Sequence, residues 1–218
     1  MHRTILLAVM LTAVVVAMPA AAQDAAPKPV YLAVGDSLTR GLYASEGHGW
    51  AYMVADALPG YTLEVVPAPG IDNAIDFLPA ELADHAPQLV TIEVGINNIN
   101  YTDGGMPVAT FLARYVAMLS ILKDANTPRV VACTVPWTAE VPGSIQYERA
   151  LQFNAVINFA VPMFGYEVAD CWGATVERWD YLSPIDKFHP NDAGHRAIAD
   201  AALRAILPPV HFLPAVSR

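Results

Sequence analysis

Five short apolar runs recur along the chain, and segments with helical spacing separate them. The first run, residues 30–34, has a β-branched residue near its start and another at its end. Such runs are typical of strands that are buried on both faces of a parallel sheet. Strands that alternate with helices predict an α/β fold, a three-layer α/β/α sandwich around a flavodoxin-like five-stranded parallel sheet. The other runs lie at residues 62–66, 88–94, 129–135 and 166–169.

The intervening segments end at helix-stop signals. Residues 50–58 have apolar side chains at helical spacing, and Pro59 and Gly60 follow them. We expect a second helix that is capped by Asp72 or Asn73 and runs to about residue 84. Further helices are expected at residues 108–125, at 144–163, and from Asn191 or Asp192 to residue 207. Residues 99–107 and 172–188 are interpreted as loops.

The first 22 residues have the pattern of a secretory signal. His2 and Arg3 give a positive start, residues 5–17 form an apolar run, and three alanines at 20–22 offer a cleavage site. The run is short for a membrane span, and Pro19 ends it sharply, although an uncleaved anchor is the alternative. We therefore expect export to the exterior, the periplasm or the cell envelope, with no stable membrane insertion after cleavage. Residues 23–29 are then a linker, 30–207 a single domain and 208–218 a C-terminal tail.

Charge and cysteine content exclude some partners. The chain carries a formal net charge of −9 and has no cluster of lysine or arginine, which argues against nucleic acid as a partner. Cys133 and Cys171 lie too far apart in the sequence for a zinc signature, and we expect no metal or organic cofactor. Export would permit a disulfide between them. Cys133 also fits a small buried hydrophobe in a strand, so both readings stay open.

The first predicted strand breaks at Gly35 into Asp36 and Ser37. A serine just past the carboxyl end of a first strand lies where α/β sheets hold their ligands. A helix that starts soon afterwards would favour negative charge there, which suits an acyl-transfer nucleophile. A simple helix cap is the commoner explanation of such a stretch. The downstream residues therefore have to decide between the two.

A second polar cluster precedes the last predicted helix. Asp186 stands three residues before His189, in a loop. A carboxylate held against one imidazole nitrogen leaves the other nitrogen free to take a proton from a serine. Asp180 is a rival for this acid, but it is more distant from His189 along the chain. Two ordinary loop residues are the alternative interpretation.

Two turns on the same edge of the sheet carry hydrogen-bond donors. Gly70 and Asn97 each follow a predicted strand, as Ser37 does. A glycine N–H and an asparagine amide are donors of the type that stabilises a developing oxyanion, although each also suits an ordinary turn. Glu93 lies inside the third strand among apolar neighbours. It is either a partnered buried acid or a site residue at the end of a strand, and the sequence leaves both possibilities open.

Together these segments resemble the SGNH (GDSL-type) hydrolase family of esterases and lipases. Residues 35–39 match the first block of that family, residues 95–98 the third and residues 186–191 the fifth. Gly70 stands where the glycine of the second block belongs. The third block usually reads Gly-x-Asn-Asp, and here Asn98 replaces the aspartate.

The resemblance implies a serine ester hydrolase of the same fold that needs no cofactor. Its substrate would be a small-molecule, glycan or lipid ester, and with the predicted signal it would be secreted. A carbohydrate O-deacetylase is one alternative, and an inactive binding module with the same fold is another. The implied catalytic triad is Ser37, Asp186 and His189, and the implied oxyanion hole is formed by Ser37, Gly70 and Asn97.

Aromatic side chains are frequent in the loops that follow the predicted strands. We expect several of them to form the rim of a pocket, where they would suit acyl chains, aryl esters and sugars equally. They therefore do not identify the substrate. The side chains expected to line this pocket are Tyr43, Trp50, Tyr101, Met106, Trp137, Trp172, Trp179 and Tyr181.

Overall fold

The computed structural model describes residues 27–100 and 105–207. The predicted signal segment and the predicted C-terminal tail lie outside these residues, so both remain predictions. Strands and helices alternate along the described chain. The elements are β1 (Val30–Gly35), α1 (Trp50–Ala57), β2 (Thr62–Pro67), α2 (Ile71–His85), β3 (Leu89–Glu93), α3 (Ile96–Asn100), α4 (Val108–Asp124), β4 (Val130–Cys133), α5 (Ile145–Met163), β5 (Glu167–Ala169), α6 (Cys171–Thr175) and α7 (Asp192–Ile206).

The five strands form one parallel sheet with the order β2-β1-β3-β4-β5. Because successive side chains of a strand point to opposite faces, each strand feeds two hydrophobic cores. Leu32 and Val34 join the core under α2, α4 and α5, and Tyr31 and Ala33 join the core under α1 and α7. The predicted α/β sandwich around a five-stranded parallel sheet is therefore confirmed.

The strand order creates a crevice at the carboxyl edge of the sheet. From β1 the chain passes outward to β2 and then returns to pair β3 against the other side of β1. Helices that leave two neighbouring strands in opposite directions open a gap at this switch point, and α/β proteins bind their ligands there. Ser37 follows β1 and Asn97 follows β3, so both residues lie at this gap.

Three local expectations were wrong. Helix α2 begins at Ile71 with Gly70 as its N-cap, rather than with Asp72 or Asn73. Residues 99–107 are not wholly loop, because α3 runs to Asn100. Residues 172–188 likewise contain most of α6 and a short 3₁₀ turn at Trp179–Tyr181.

The structure also shows the state of the two cysteines and the character of the helices. Both Cys133 and Cys171 are buried free thiols. Within residues 27–100 and 105–207, no helix has both the length and the apolar character that crossing a bilayer requires.

Candidate active site

A tight turn after β1 presents Ser37. The backbone N–H of Leu38 donates to the Asp36 carboxylate at 2.9 Å, and the N–H of Arg40 donates to the Asp36 carbonyl at 3.1 Å. A Cβ at Gly35 would lie 2.1 Å from the Thr39 hydroxyl oxygen and 2.4 Å from a backbone oxygen of β3. Only glycine fits there, and its small size lets the turn close directly against the neighbouring strand.

The structure brings Ser37, His189 and Asp186 together, although 152 residues separate the first two. The Ser37 Oγ lies 2.9 Å from the Nε2 of His189. The Nδ1 of His189 lies 2.5 Å from a carboxylate oxygen of Asp186. Asp180, the rival acid, instead forms an ion pair with Arg178 at 2.7 Å. The three side chains therefore form one continuous hydrogen-bonded chain.

Asp186 is held in its ionised form. One of its carboxylate oxygens accepts the backbone N–H groups of Phe188 and His189, at 3.0 and 3.1 Å. Partial burial raises the pKa of Asp186, but the hydrogen bonds from the imidazole and from these N–H groups outweigh it, and the pKa lies below its ordinary value. The carboxylate can thus balance a positive charge on the ring of His189.

The loop that carries His189 is fixed to the body of the domain. The carbonyl of His189 accepts the Ser183 N–H at 2.7 Å. The Asn191 side chain caps α7 by accepting two of its first N–H groups, which confirms one of the two predicted caps. Its amide nitrogen also donates to two carbonyls of the preceding loop. The ring of Tyr43 meets the imidazole edge-on at 5.4 Å.

The predicted oxyanion donors lie around the same crevice. Within residues 27–100 and 105–207, the backbone N–H groups of Ser37 and Gly70 donate to no other group. The Asn97 amide nitrogen lies 2.7 Å from the Pro69 carbonyl and 3.3 Å from an Asp36 carboxylate oxygen. Asn97 lines a pocket beside Ser37, and Gly70 directly follows Pro69, another residue of that lining.

Asn98 explains both the start of α2 and the departure from the usual third block. Its amide oxygen accepts the N–H of Ile71 at 3.1 Å. Its amide nitrogen lies 3.3 Å from the position that a Cβ on Gly70 would occupy. An aspartate could provide the same acceptor, so the substitution preserves the link between α3 and the Gly70 turn. A cap supplied from so far along the chain leaves no local sequence signal.

A pocket of about 180 Å³ opens beside Ser37. Ser37 and Asn97 were predicted as site residues and form two of its walls, whereas the wall formed by Pro67, Ala68 and Pro69 was not predicted. The position of these residues at the carboxyl end of β2 could have identified that wall, because β2 lies next to β1 in the sheet. The pocket is lined by Asp36, Ser37, Arg40, Pro67, Ala68, Pro69 and Asn97.

The expected aromatic rim is not found around this pocket, because none of the described side chains predicted for it is among the lining residues. Trp50 and Trp137 were predicted to line the pocket, but they are 0% and 1% exposed. Trp50 begins α1 inside the core under α1 and α7. The indole N–H of Trp137 donates to the backbone carbonyl of Glu140, three residues further along the chain. Tyr43 and Trp179 are exposed but do not line this pocket, and neither do Met106, Trp172 and Tyr181. Tyr101 lies outside the described residues.

Glu93 is a buried acid behind the turn that carries Ser37. It is 0% exposed, and one of its carboxylate oxygens accepts the Thr39 hydroxyl at 3.0 Å. Asp36 is its neighbour and is 2% exposed. Burial raises the pKa of both groups, to about 7 for Asp36 and well above the usual range for Glu93. Of the two possibilities left open for Glu93, the partnered buried acid is the one found.

The described part of the chain contains no cluster of side chains suited to binding a metal ion. No three histidine, cysteine, aspartate or glutamate side chains there are grouped so that they could hold an ion. The hydrogen-bonded chain at Ser37 places a hydroxyl against an imidazole and a carboxylate, with N–H donors nearby, an arrangement that suits nucleophilic catalysis.

Comparison with known proteins agrees with this geometry. Residues 33–197 match the sequence model of the GDSL-like Lipase/Acylhydrolase family. No curated protein sequence matches the chain. Among solved structures, a variant of an acetyl xylan esterase from Geobacillus stearothermophilus superposes with a TM-score of 0.68 at 20% identity, over 82% of this chain and 94% of the other.

Two further solved structures are similar. TesA has a TM-score of 0.68 at 20% identity, over 82% of this chain and 98% of that protein. An alpha/beta hydrolase enzyme from the metagenome of Lake Arreo, Spain, has a TM-score of 0.67 at 18% identity, over 81% of this chain and 94% of that one. At these identities the likeness shows a common fold.

Proposed function

The chain belongs to the GDSL-like Lipase/Acylhydrolase family and is a carboxylic ester hydrolase, and we propose that it works through an acyl-enzyme on Ser37. The observation that carries this proposal is the hydrogen-bonded chain from Ser37 through His189 to Asp186, with distances of 2.9 and 2.5 Å. Those distances suit proton transfer from a hydroxyl to an imidazole that a carboxylate orients.

In this mechanism Ser37 forms the covalent bond to the acyl group and His189 transfers the protons. The Ser37 Oγ attacks the ester carbonyl carbon while the Nε2 of His189 takes its proton. Asp186 stays ionised and stabilises the imidazolium. His189 then gives that proton to the leaving alcohol, and the acyl group remains on Ser37. A water molecule attacks the acyl-enzyme by the same route, which releases the acid and restores the serine hydroxyl.

The oxyanion of each tetrahedral intermediate needs donors that are fixed in advance. We assign this role to the N–H groups of Ser37 and Gly70 and to the Asn97 amide, which would share with the oxyanion the hydrogen that points to Asp36 at 3.3 Å, since the other donates to Pro69 at 2.7 Å. The first two have no other acceptor among the described residues, so they are free to bind the oxyanion. Removal of one such donor typically costs roughly 10²–10³ in kcat.

The size of the pocket supports a short acyl group. Its volume of about 180 Å³ is below the roughly 300–1,000 Å³ that is usual for drug-sized ligands. Its walls at Pro67, Ala68 and Pro69 are compact and cannot rotate away. Acetyl and butyryl esters should therefore be better substrates than octanoyl or palmitoyl esters.

A carbohydrate O-deacetylase is the second candidate within the same mechanism. The exposed Tyr43 ring beside His189 and the exposed Trp179 ring offer flat apolar faces on which a sugar could stack. One of the similar structures is an acetyl xylan esterase. This candidate predicts that acetylated oligosaccharides are hydrolysed faster than simple alkyl acetates.

The test is a hydrolysis series on p-nitrophenyl acetate, butyrate, octanoate and palmitate, with acetylated xylo-oligosaccharides beside it. Wild type is compared with Ser37→Ala and with Ser120→Ala, whose hydroxyl only bonds within α4. We expect Ser37→Ala alone to lose activity and the rate to fall beyond butyrate. An equally active Ser37→Ala would overturn the proposal, and a chain inactive on every ester and unlabelled by a fluorophosphonate would favour the binding module.

We also propose that residues 1–22 direct export. The support is their sequence pattern of a positive start, an apolar run and a small-residue end. N-terminal sequencing of the protein from the exported fraction should give Gln23 as its first residue. A chain that retains Met1 and stays with the membrane would contradict cleavage and favour an anchor.

A further inference from the structure

Two carboxyl groups meet in the interior directly behind Ser37. Asp36 directly follows Gly35, the residue of β1 that is paired with Glu93 of β3, and the two carboxyl groups are near enough for each to act on the pKa of the other. They are 2% and 0% exposed. Two neighbouring carboxyls out of water resist double ionisation, because the hydrogen bonds and Arg40 that favour the anion at Asp36 do not offset the desolvation and repulsion of a second charge at Glu93. One proton must therefore be shared between them.

The hydrogen bonds indicate which carboxyl carries the proton. Both oxygens of Asp36 act as acceptors, one for the Leu38 N–H at 2.9 Å and one for the Asn97 amide at 3.3 Å. One oxygen of Glu93 accepts the Thr39 hydroxyl at 3.0 Å. The other oxygen of Glu93 is buried and accepts from no group among the residues that the structure describes. An oxygen that accepts nothing but lies beside an anion is the natural place for a proton that is donated to Asp36.

We propose that Glu93 remains protonated and acts as a positioning residue, because its O–H holds the Asp36 carboxylate that in turn orients the Asn97 amide and the Leu38 N–H around Ser37. The inference rests on the proposed function, since it assigns a purpose to the groups around the oxyanion. A neutral Glu93 also keeps a second negative charge away from the place where that oxyanion develops. Ionisation of Glu93 would both loosen Asp36 and repel the oxyanion, so turnover should fall at alkaline pH.

The surroundings of the pair favour one proton over none. Arg40 is the cation that acts on Asp36, and it favours the anion there rather than at Glu93. The groups that face Glu93 from the other packed elements are hydroxyls and thiols, and desolvation keeps the pKa of Glu93 well above its usual range. Those groups are Thr39 from the turn that carries Ser37, Cys133 from β4, Tyr115 from α4 and Cys171 from α6.

Glu93→Gln is the decisive variant. A glutamine amide can still accept from Thr39 and donate to Asp36, but it cannot lose a proton at any accessible pH. We measure kcat and KM on p-nitrophenyl acetate from about pH 6 to about pH 10, with Glu93→Leu as the variant that lacks both hydrogen bonds. Glu93→Gln should retain most of the neutral-pH kcat and lose the alkaline decline, whereas Glu93→Leu should lower kcat roughly 10- to 100-fold with little change in KM.

Thr39 provides a second route that leaves both carboxyls in place. Its hydrogen bond favours the anionic form of Glu93, so Thr39→Val should move the alkaline decline of kcat to higher pH, and Thr39→Ser should not. This comparison keeps the proposal testable if the Glu93 variants do not fold, which urea unfolding would reveal.

Three results would overturn the proposal. They are a Glu93→Gln variant as slow as Glu93→Leu, a Glu93→Gln variant that keeps the wild-type alkaline decline, or a Thr39→Val variant that does not move it. A purely structural role would lower the free energy of unfolding and leave the pH profile of kcat unchanged. Failure of the proposed function itself would look different, because Ser37→Ala would then hydrolyse the same ester at the wild-type rate.

Discussion

Mild acid should destabilise this protein through a single buried imidazole, that of His195 in α7. The side chain is 0% exposed, and its Nδ1 accepts the backbone N–H of Trp50 at the start of α1, at 3.4 Å. Burial lowers the pKa of His195 from 6.5 to about 4. Between those two pH values His195 is protonated in the unfolded chain but neutral in the folded chain. The stability that the neutral buried imidazole contributes is therefore complete above pH 6.5 and is lost as the pH falls towards 4.

The magnitude follows from about 1.4 kcal/mol for each unit of difference in pKa. The free energy of unfolding should fall by about 2 kcal/mol between about pH 7.5 and about pH 5, and by about 3 kcal/mol by about pH 4. His195→Asn is the matched variant, because the asparagine amide oxygen can accept the Trp50 N–H but does not titrate. The exposed His48 provides the control, His48→Asn.

Urea unfolding followed by tryptophan fluorescence at several pH values measures this difference directly. Wild type and His48→Asn should lose about 2 kcal/mol more than His195→Asn over the upper part of that range. Subtracting the variant removes the opposing contribution of the buried carboxyl pair, whose raised pKa values stabilise the fold as the pH falls. If the free energy of unfolding of His195→Asn depends on pH as that of wild type does, His195 is not the group that destabilises the protein in mild acid.

Three further predictions concern the residues around the site. Asp186→Asn should lower kcat roughly 10³- to 10⁴-fold because the imidazole loses its orienting anion, whereas Asp180→Asn should stay near wild type in the same ester assay. Gly35→Ala should cost about 1–3 kcal/mol or more in urea unfolding because its Cβ would meet atoms at 2.1 and 2.4 Å; Gly60→Ala, with open space around it, is the control. Asn98→Asp should keep kcat near the wild-type value because it retains the acceptor for the first N–H of α2, whereas Asn98→Ala should lower kcat. Equal kcat values for Asn98→Ala and wild type would refute the role of Asn98 as that acceptor.

The parts of the fold that could be predicted from sequence are those whose cause is local. The apolar runs give the five strands, since burial on both faces of a sheet leaves a continuous apolar signal. Asn191 caps α7 through its own neighbours. The sequence pointed to Ser37, Asp186 and His189 through their residue types, the short spacing of Asp186 and His189, and the resemblance to the SGNH family. The parts that could not be predicted depend on contacts between distant segments.

Particular residues illustrate that limit. Gly70 starts α2 because Asn98, far along the chain, accepts the N–H of Ile71. Trp50 follows a loop rich in glycine and polar residues and looks like a pocket residue, yet the packing of α7 buries it. The pairing of Asp36 with Glu93 depends on the register of β1 against β3. None of these three contacts leaves a periodic or adjacent pattern in the sequence.

The central claim is that the acyl group passes through Ser37, and trapping that intermediate tests it most directly. Wild type is mixed with p-nitrophenyl acetate, quenched in acid during turnover and digested, and the peptides are weighed by mass spectrometry. We expect one acetyl group on the peptide that contains Ser37, and none on any peptide of Ser37→Ala. Turnover by Ser37→Ala, or an acetyl group on a different residue of the wild type, would contradict the account.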